Sequence, residues 1–158
     1  MWWTQAKFLI AVAVVAFRQN DVLLLRHSYR KRYPWGLVTG YVGYGETLEQ
    51  AGLREFHEET GYVLPGTASL ALVDLRFVSR RHLEAVYRVC ADVDLAYELG
   101  PSQDGEIERG SWHAIDRLPE GLLPNQRALI LLADGARKRL VSRSQPIADD
   151  PNSFESRP

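Results

Sequence analysis

The segment from Gly40 to Tyr62 constrains the fold of this chain more than any other stretch. Within it, Glu55 is followed by Glu58 and Glu59, so a helix would place all three side chains, the box carboxylates, on one face. Like charges that close repel each other, and a hard divalent cation such as Mg²⁺ or Mn²⁺ would turn that repulsion into a binding site. The alternative is a solvated acidic helix face.

The helix that carries the box carboxylates has sequence signals at both ends. Thr47 and Gln50 form a Thr-x-x-Gln capping box, which predicts that the helix begins near Leu48. Gly61 predicts its end, because a left-handed residue is favoured just after a helix. The small residue Ala51 lies on the same arc as the carboxylates, whereas a solvating face would lie opposite the apolar stripe. This pattern favours the cation site.

The segment as a whole fills a known pattern. Its fixed positions are Gly40, Glu46, Arg54, Glu55, Phe56, Glu58, Glu59, Gly61 and Tyr62. They resemble the Nudix box, GX5EX7REUXEEXGU with U a bulky apolar residue, and a chance match is expected on the order of once in 10⁸–10⁹ starting points. The resemblance extends from about Lys7 to Leu140. It implies a Nudix hydrolase, a pyrophosphohydrolase that cleaves a nucleoside diphosphate linked to another group.

A fold and a domain organisation follow from the resemblance. The order strand, strand, box helix, strands, helix is a mixed α/β pattern, and the Nudix fold is a mixed β-sheet sandwiched between α-helices. Residues 1–141 are expected to form one Nudix hydrolase domain. Residues 142–158, rich in Ser, Pro and Asp, are expected to form a disordered tail.

Roles within the box are also implied by the resemblance. The box carboxylates would hold one to several Mg²⁺ ions, and a backbone carbonyl near Thr39 or Gly40 would complete the site. Most relatives have Pro-Gly-Gly where this chain has Val38, Thr39 and Gly40. Arg54 and Glu46 are expected to form an ion pair that orients the helix. Arg54 as a ligand of the substrate phosphate is the alternative.

A general base is often supplied from outside the box. The acidic stretch before Trp112 resembles the late acidic loop of the family, and its spacing from Trp112 favours Glu106, with Glu108 as the second choice. A solvated loop is the alternative. If neither residue is the base, Glu55 becomes the candidate.

Substrate-binding residues are expected just ahead of the box. Residues 26–35 interleave cations with aromatic side chains, and the candidates are Arg26, Arg30, Arg32 and Tyr33. The cations could receive a polyphosphate and the aromatic faces could stack a base. A solvated basic loop is equally compatible with this composition.

The remaining elements are predicted from hydrophobic periodicity. Residues 8–17 and 22–25 indicate a buried hairpin around the turn at Gln19, and a strand is favoured over a signal peptide for the first run. The other predicted elements are strands at 35–39, 69–79, 83–93 and 109–115 and an amphipathic helix from Asn125 to about Leu140.

Composition limits the class of protein and its partners. The 158 residues carry a net charge of −1, which provides no overall field to attract nucleic acid or a membrane. The single Cys90 is interpreted as a buried residue in a reducing cytosol, so a cytoplasmic location is expected. The expected partner is a nucleotide or nucleoside diphosphate derivative, without membrane or nucleic acid, and a homodimer is left open.

Three functional hypotheses are compatible with these patterns. The first is a Mg²⁺-dependent nucleotide pyrophosphohydrolase acting on phosphoanhydride bonds. The second is a non-catalytic Nudix-fold ligand-sensing or regulatory module, which degraded box glutamates would favour, and none is degraded. The third, an isomerase of allylic diphosphates, would call for a catalytic cysteine near the box, and Cys90 lies well beyond it. The intact box favours the first.

Overall fold

The computed structural model describes residues 8–64, 69–90, 93, 95–96 and 98–144. Within them the chain forms nine strands, two α-helices and one 3-10 helix. In chain order these elements are β1 (Leu9–Val15), β2 (Phe17–Arg18), β3 (Asp21–His27), β4 (Trp35–Gly36), β5 (Val38–Tyr41), α1 (Leu48–Thr60), β6 (Leu70–Ser79), β7 (His82–Val89), β8 (Glu98–Leu99), β9 (Ile107–Ala114), the 3-10 helix Ile115–Arg117 and α2 (Gln126–Ser144).

The strands form two sheets. The first has the order β5-β1-β7-β6, with β1 parallel to β7 and antiparallel to β5. The second has the order β2-β3-β9-β8, all antiparallel, and β4 also pairs with β3. The predicted mixed α/β architecture is confirmed, with its strands divided between two sheets.

The predicted hairpin between residues 8–17 and 22–25 is confirmed only beside its turn, where Phe17 pairs with Val22, whereas β1 and β3 lie in different sheets. Both edges of β1 are taken by β5 and β7, and the chain leaves the first sheet at Ala16. Only β2 folds back on β3, through a turn at Gln19 with φ 53°. Period-2 hydrophobicity cannot distinguish one long strand from two short ones that belong to different sheets.

The predicted strand 35–39 is divided in the same way. β4 pairs with β3 in the second sheet, whereas β5 pairs with β1 in the first. Leu37 lies fully buried between them, and its backbone N–H donates a 2.8 Å hydrogen bond to Oε1 of Gln126. This bond ties the beginning of α2 to the strand that leads into the box.

The core lies on both faces of the strands. Val12 and Val14 pack with Phe56 of α1, whereas Ala13 packs with Leu129 of α2 on the opposite face. Strands buried on both faces lie between helices, as predicted for this fold. Within the described residues, no helix is long and apolar enough to cross a membrane.

The ends of β7 and α2 differ from the sequence predictions. Cys90 is exposed rather than buried, because β7 ends at Val89 and the alternation of its side chains stops there. Helix α2 continues to Ser144, beyond the expected domain boundary. The rest of the predicted tail, residues 145–158, lies outside the described residues, and its disorder stays a prediction.

Candidate active site

Helix α1 is fixed by the predicted caps. Oγ1 of Thr47 accepts a 3.1 Å hydrogen bond from the Gln50 backbone N–H, and Oε1 of Gln50 accepts a 2.9 Å bond from the Thr47 N–H. Gly61 adopts φ 71°, and its N–H donates to the His57 carbonyl at 2.8 Å. Because Ala51 and Phe56 anchor the buried face, the rotation of α1 and the direction of its carboxylates are set.

A cavity of about 670 Å³ opens where α1, β5 and the residues before β9 meet. It gathers two of the box carboxylates, Glu55 and Glu59, with Gly40 and Glu106. Its other lining residues are Ala11, Tyr29, Arg30, Thr39, Tyr41, Val78, His82, Glu84, Leu123, Asn125 and Gln126. Glu58 lines a neighbouring cavity of about 520 Å³, which Glu59 also lines.

Gly40 is required by a close approach between β5 and α1. A Cβ atom at this position would overlap the carboxyl group of Glu55. The Glu55 side chain is only 14% exposed, so it has little room to move away. Glycine at the first box position therefore brings the backbone of β5 against a carboxylate.

Burial makes two of the carboxylates unusual acids. Burial, with the nearby Glu55 carboxylate next and Glu106 adding to it, raises the pKa of Glu59 to about 8, although a 3.3 Å hydrogen bond from the Thr39 N–H opposes this. Burial also raises the pKa of Glu55. Burial disfavours the charged form of a carboxylate, and here it outweighs the opposing effects of Arg54 on Glu55 and of Arg30 on Glu59.

Arg54 ties the box together, and its predicted ion pair with Glu46 is present. Its Nε and Nη2 donate to the two Glu46 oxygens at 2.7 and 2.9 Å, and Nη2 also donates to the Tyr41 carbonyl at 2.9 Å. Nη1 donates to Glu55 at 2.7 Å and to Glu58 at 3.1 Å. Hydrogen bonds from Arg54 lower the pKa of Glu46 to about 2. Arg54 thus spans the loop, the strand and the helix.

The donor set fits a hard divalent cation. Carboxylate oxygens line this region, and burial raises the pKa of both Glu55 and Glu59 although Arg54 donates to Glu55. Among the described residues, no three His, Cys, Asp or Glu side chains are already arranged around one common point. Arg54 supplies the positive charge to Glu55 and Glu58 in this structure.

The two acidic candidates before Trp112 lie in different surroundings. Glu106 lines the cavity, and its carbonyl accepts a 2.9 Å hydrogen bond from the Ser28 N–H. Glu108 forms an ion pair with Arg26 instead. In the pairing of β3 with β9, Arg26 is opposite Arg109 and the next residue is opposite Ile107. Because of this bulge, Glu108 has no partner residue opposite it on β3. The bulge also separates Glu106 from Glu108, which a regular strand would direct to one face.

The basic stretch is only partly brought to the cavity. Arg30 lines it, and a Cβ on Gly36 would lie 2.6 Å from Nη1 of Arg30, so a larger residue there would displace the guanidinium. Arg26 is held by Glu108. The guanidinium of Arg32 lies 5.2 Å from the ring centroid of Tyr33, and neither residue lines the cavity.

Comparison with known proteins agrees with the arrangement of the box. The model of the NUDIX domain matches residues 7–133. The chain belongs to the Nudix family. The NAD-capped RNA hydrolase NudC of Edwardsiella ictaluri is 30% identical over 110 residues, which are 68% of this chain and 40% of that protein. The chain therefore spans less than half the length of this relative.

Solved Nudix structures share the fold. The MutT NUDIX hydrolase from Burkholderia pseudomallei has a TM-score of 0.66 at 22% identity, covering 80% of this chain and 98% of that one. The NUDIX domain of Shewanella oneidensis NrtR, complexed with ADP ribose, has a TM-score of 0.64 at 22% identity, covering 86% and 90%. The predicted Nudix fold is confirmed.

Several residues that line the cavity of this Nudix domain were missed by sequence reasoning. Tyr41 comes from β5, His82 and Glu84 both come from β7, and Gln126 comes from the start of α2. No local pattern connects them, because their proximity depends on sheet order. Only Tyr41, which directly follows Gly40, had a signal that could have been used.

We predict that Glu59→Gln stabilises the metal-free Nudix domain. Because folding raises the pKa of Glu59 from 4.5 to about 8, stability from this group is full below about pH 4.5 and is lost as pH rises through about 8. Chemical unfolding in chelator at about pH 5 and about pH 9 should show an advantage of Glu59→Gln over wild type that grows with pH, on the order of a few kcal/mol. The exposed Glu120→Gln is the control. Equal stabilities of Glu59→Gln and wild type at the higher pH would contradict the burial of this carboxylate.

Proposed function

We propose that this Nudix protein is a Mg²⁺-dependent pyrophosphohydrolase that cleaves a nucleoside diphosphate linked to another moiety, with Mn²⁺ as the alternative metal. The observation that carries the proposal is one cavity that gathers Glu55, Glu59, Gly40, Glu106 and Arg30. It combines oxygen donors for a metal cation, the additional carboxylate of Glu106, and the positive charge of Arg30 for phosphate.

The metal would be held by the box carboxylates and by the carbonyl of Gly40. When bound, Mg²⁺ neutralises charge on the phosphate oxygens and makes a water molecule more acidic. Arg54 acts differently, since its hydrogen bonds to Glu46, Glu55 and Glu58 fix the carboxylates in place. These contacts support a positioning role for Arg54 over direct binding of phosphate.

Glu106 is proposed as the general base that takes a proton from the attacking water. It lines the cavity together with Glu55 and Glu59, whereas Glu108 is engaged by Arg26. Arg30 is proposed to receive a phosphate oxygen, because this residue lines the same cavity. Arg26, Arg32 and Tyr33 have no comparable support.

The setting of the protein is proposed from weaker observations. One cysteine in 158 residues supports a reducing, cytoplasmic compartment. The edge strand β6 exposes Leu75 and Phe77, which supports a homodimer, because unpaired strand edges and apolar patches favour association.

A ligand-binding module without catalysis is the second candidate. It is supported by the structural neighbour complexed with ADP ribose and by the bonds of Arg54 to two of the box carboxylates. Such a module would bind a nucleotide derivative without turning it over.

A substrate panel tests the two candidates against each other. Nucleoside triphosphates, deoxynucleoside triphosphates, nucleotide sugars, dinucleotides and CDP-alcohols are incubated with Mg²⁺ or Mn²⁺, and released phosphate or pyrophosphate is measured. We expect turnover of at least one class. Saturable binding of a panel member by calorimetry, with no product from any, would favour the binding module and contradict hydrolysis.

A further inference from the structure

We propose that the wall of the cavity formed by Tyr41, Ala11, His82 and Glu84 is a nucleobase subsite, and that Glu84 selects bases with an exocyclic amino group. The inference rests on the proposed function, because it assigns the part of the same substrate that does not react. It names adenine and cytosine as the favoured bases over hypoxanthine, uracil and thymine, which carry a carbonyl oxygen where adenine and cytosine carry the amino group.

The subsite is built on one row of residues across three strands. Ala11 of β1 is opposite Tyr41 of β5 on one side and opposite Glu84 of β7 on the other. Residues in register on neighbouring strands point to the same face, and all three line the cavity. Ala11 lies between the longer side chains of Tyr41 and Glu84. Because the Ala11 side chain is small, it leaves room between them for a flat ring.

Tyr41 and His82 provide aromatic surface at this row. Their ring centroids are 6.1 Å apart with an angle of 37° between the planes. The Tyr41 side chain is not buried, being 58% exposed, so its ring can receive a stacked base. Stacking of bases on aromatic side chains is strong and tolerates any base. These rings therefore account for the affinity for a base but not for discrimination between bases.

Discrimination between bases is assigned to Glu84. It is 7% exposed, and Nε and Nη2 of Arg76 both donate to its Oε2 at 3.3 Å. Oε1 is left as the remaining acceptor. An ionised carboxylate has no proton to donate, so it can accept a hydrogen bond from an amino group but opposes a carbonyl oxygen. Nε2 of His82 is buried without a hydrogen-bond partner among the described residues and offers a second polar contact.

The subsite is connected to the chemistry. Tyr41 follows Gly40 in β5, and the same cavity holds Glu55, Glu59 and Arg30. Its volume of about 670 Å³ lies within the usual range for sites of small ligands. A base on the Ala11 row and phosphates beside Arg30 would thus occupy one continuous space.

Matched substrates test the selection by Glu84. ATP against ITP, and CTP against UTP, differ at the ring position where an amino group replaces a carbonyl. We expect kcat/KM to favour the amino member of each pair by about tenfold, the scale of a hydrogen bond to a charged group. Glu84→Gln, whose amide can also donate, should reduce the preference to near unity. Equal rates within both pairs for the wild type, or an unchanged preference in Glu84→Gln, would overturn the assignment.

Substitutions of Tyr41 and of the nearby Tyr44 test the stacking surface. Tyr41→Leu should raise KM about tenfold at nearly constant kcat, since stacking contributes to ground-state and transition-state binding alike. Tyr44→Leu, an exposed residue outside the cavity, is the matched control and should be silent. If Tyr41→Leu is silent too, the subsite is wrong. Thermal melting of each variant identifies loss of fold, and the wild-type substrate pairs decide the question without any variant.

Calorimetry with α,β-methylene analogues of ATP and ITP separates this proposal from the proposed function. Preferred binding of the ATP analogue by a protein that turns over no nucleotide would support the subsite and contradict hydrolysis. Turnover without base preference would support hydrolysis and contradict the subsite.

Discussion

Chelation of divalent cations is expected to reduce hydrolysis to the uncatalysed background, and added Mg²⁺ or Mn²⁺ to restore it. The physical reason is the charge balance of the cavity, where Glu55, Glu59 and Glu106 face a substrate that is itself anionic. Arg30 is the cation of the cavity lining, and Arg54 is engaged with Glu46, Glu55 and Glu58. A polyphosphate would therefore meet net repulsion without a bound cation.

Rates of product release with EDTA, then with titrated Mg²⁺, measure this dependence. Glu58→Gln and Glu59→Gln should each lower kcat at least about tenfold, because a lost ligand weakens stabilisation of the charged transition state. The exposed Glu120→Gln is the control and should retain the wild-type rate. Full turnover in excess chelator would contradict a metal-dependent mechanism. A rate loss in Glu59→Gln that accompanies unfolding would be recognised by melting, which is expected to show a more stable protein.

Local sequence signals predicted the box helix well. The bounds of α1 depend on contacts between near neighbours, such as the bonds between Thr47 and Gln50 and the left-handed Gly61. The Glu46–Arg54 ion pair also spans few residues. Such interactions are nearly determined by spacing.

Contacts between distant strands were not predictable in this way. Whether residues 8–17 pair with β3 or with β7 depends on which strand occupies each edge, and no local pattern records that choice. The same holds for the β-bulge that directs Glu108 towards Arg26. Position in the sequence favoured Glu106 over Glu108 only by its distance from Trp112, whereas the bulge provides a physical reason.

Glu106→Gln is expected to lower kcat on the order of 10²–10⁴-fold, the usual contribution of a general base. Glutamine keeps the shape of the side chain but cannot accept the proton of the attacking water. KM should change little, because a base acts mainly in the transition state. Steady-state kinetics across pH should also show that the acidic limb of the wild-type profile moves or disappears.

Glu108→Gln is the matched control, since it makes the same chemical change two residues away in the same stretch. Its carboxylate is paired with Arg26 outside the cavity, so the variant should keep nearly the wild-type rate. If both variants keep that rate, the base lies within the box, and Glu55, whose pKa is raised by burial, becomes the candidate. If only Glu108→Gln loses activity, the bulge between β3 and β9 must rearrange when substrate binds. Glu108 is then the general base, and Glu106 is not.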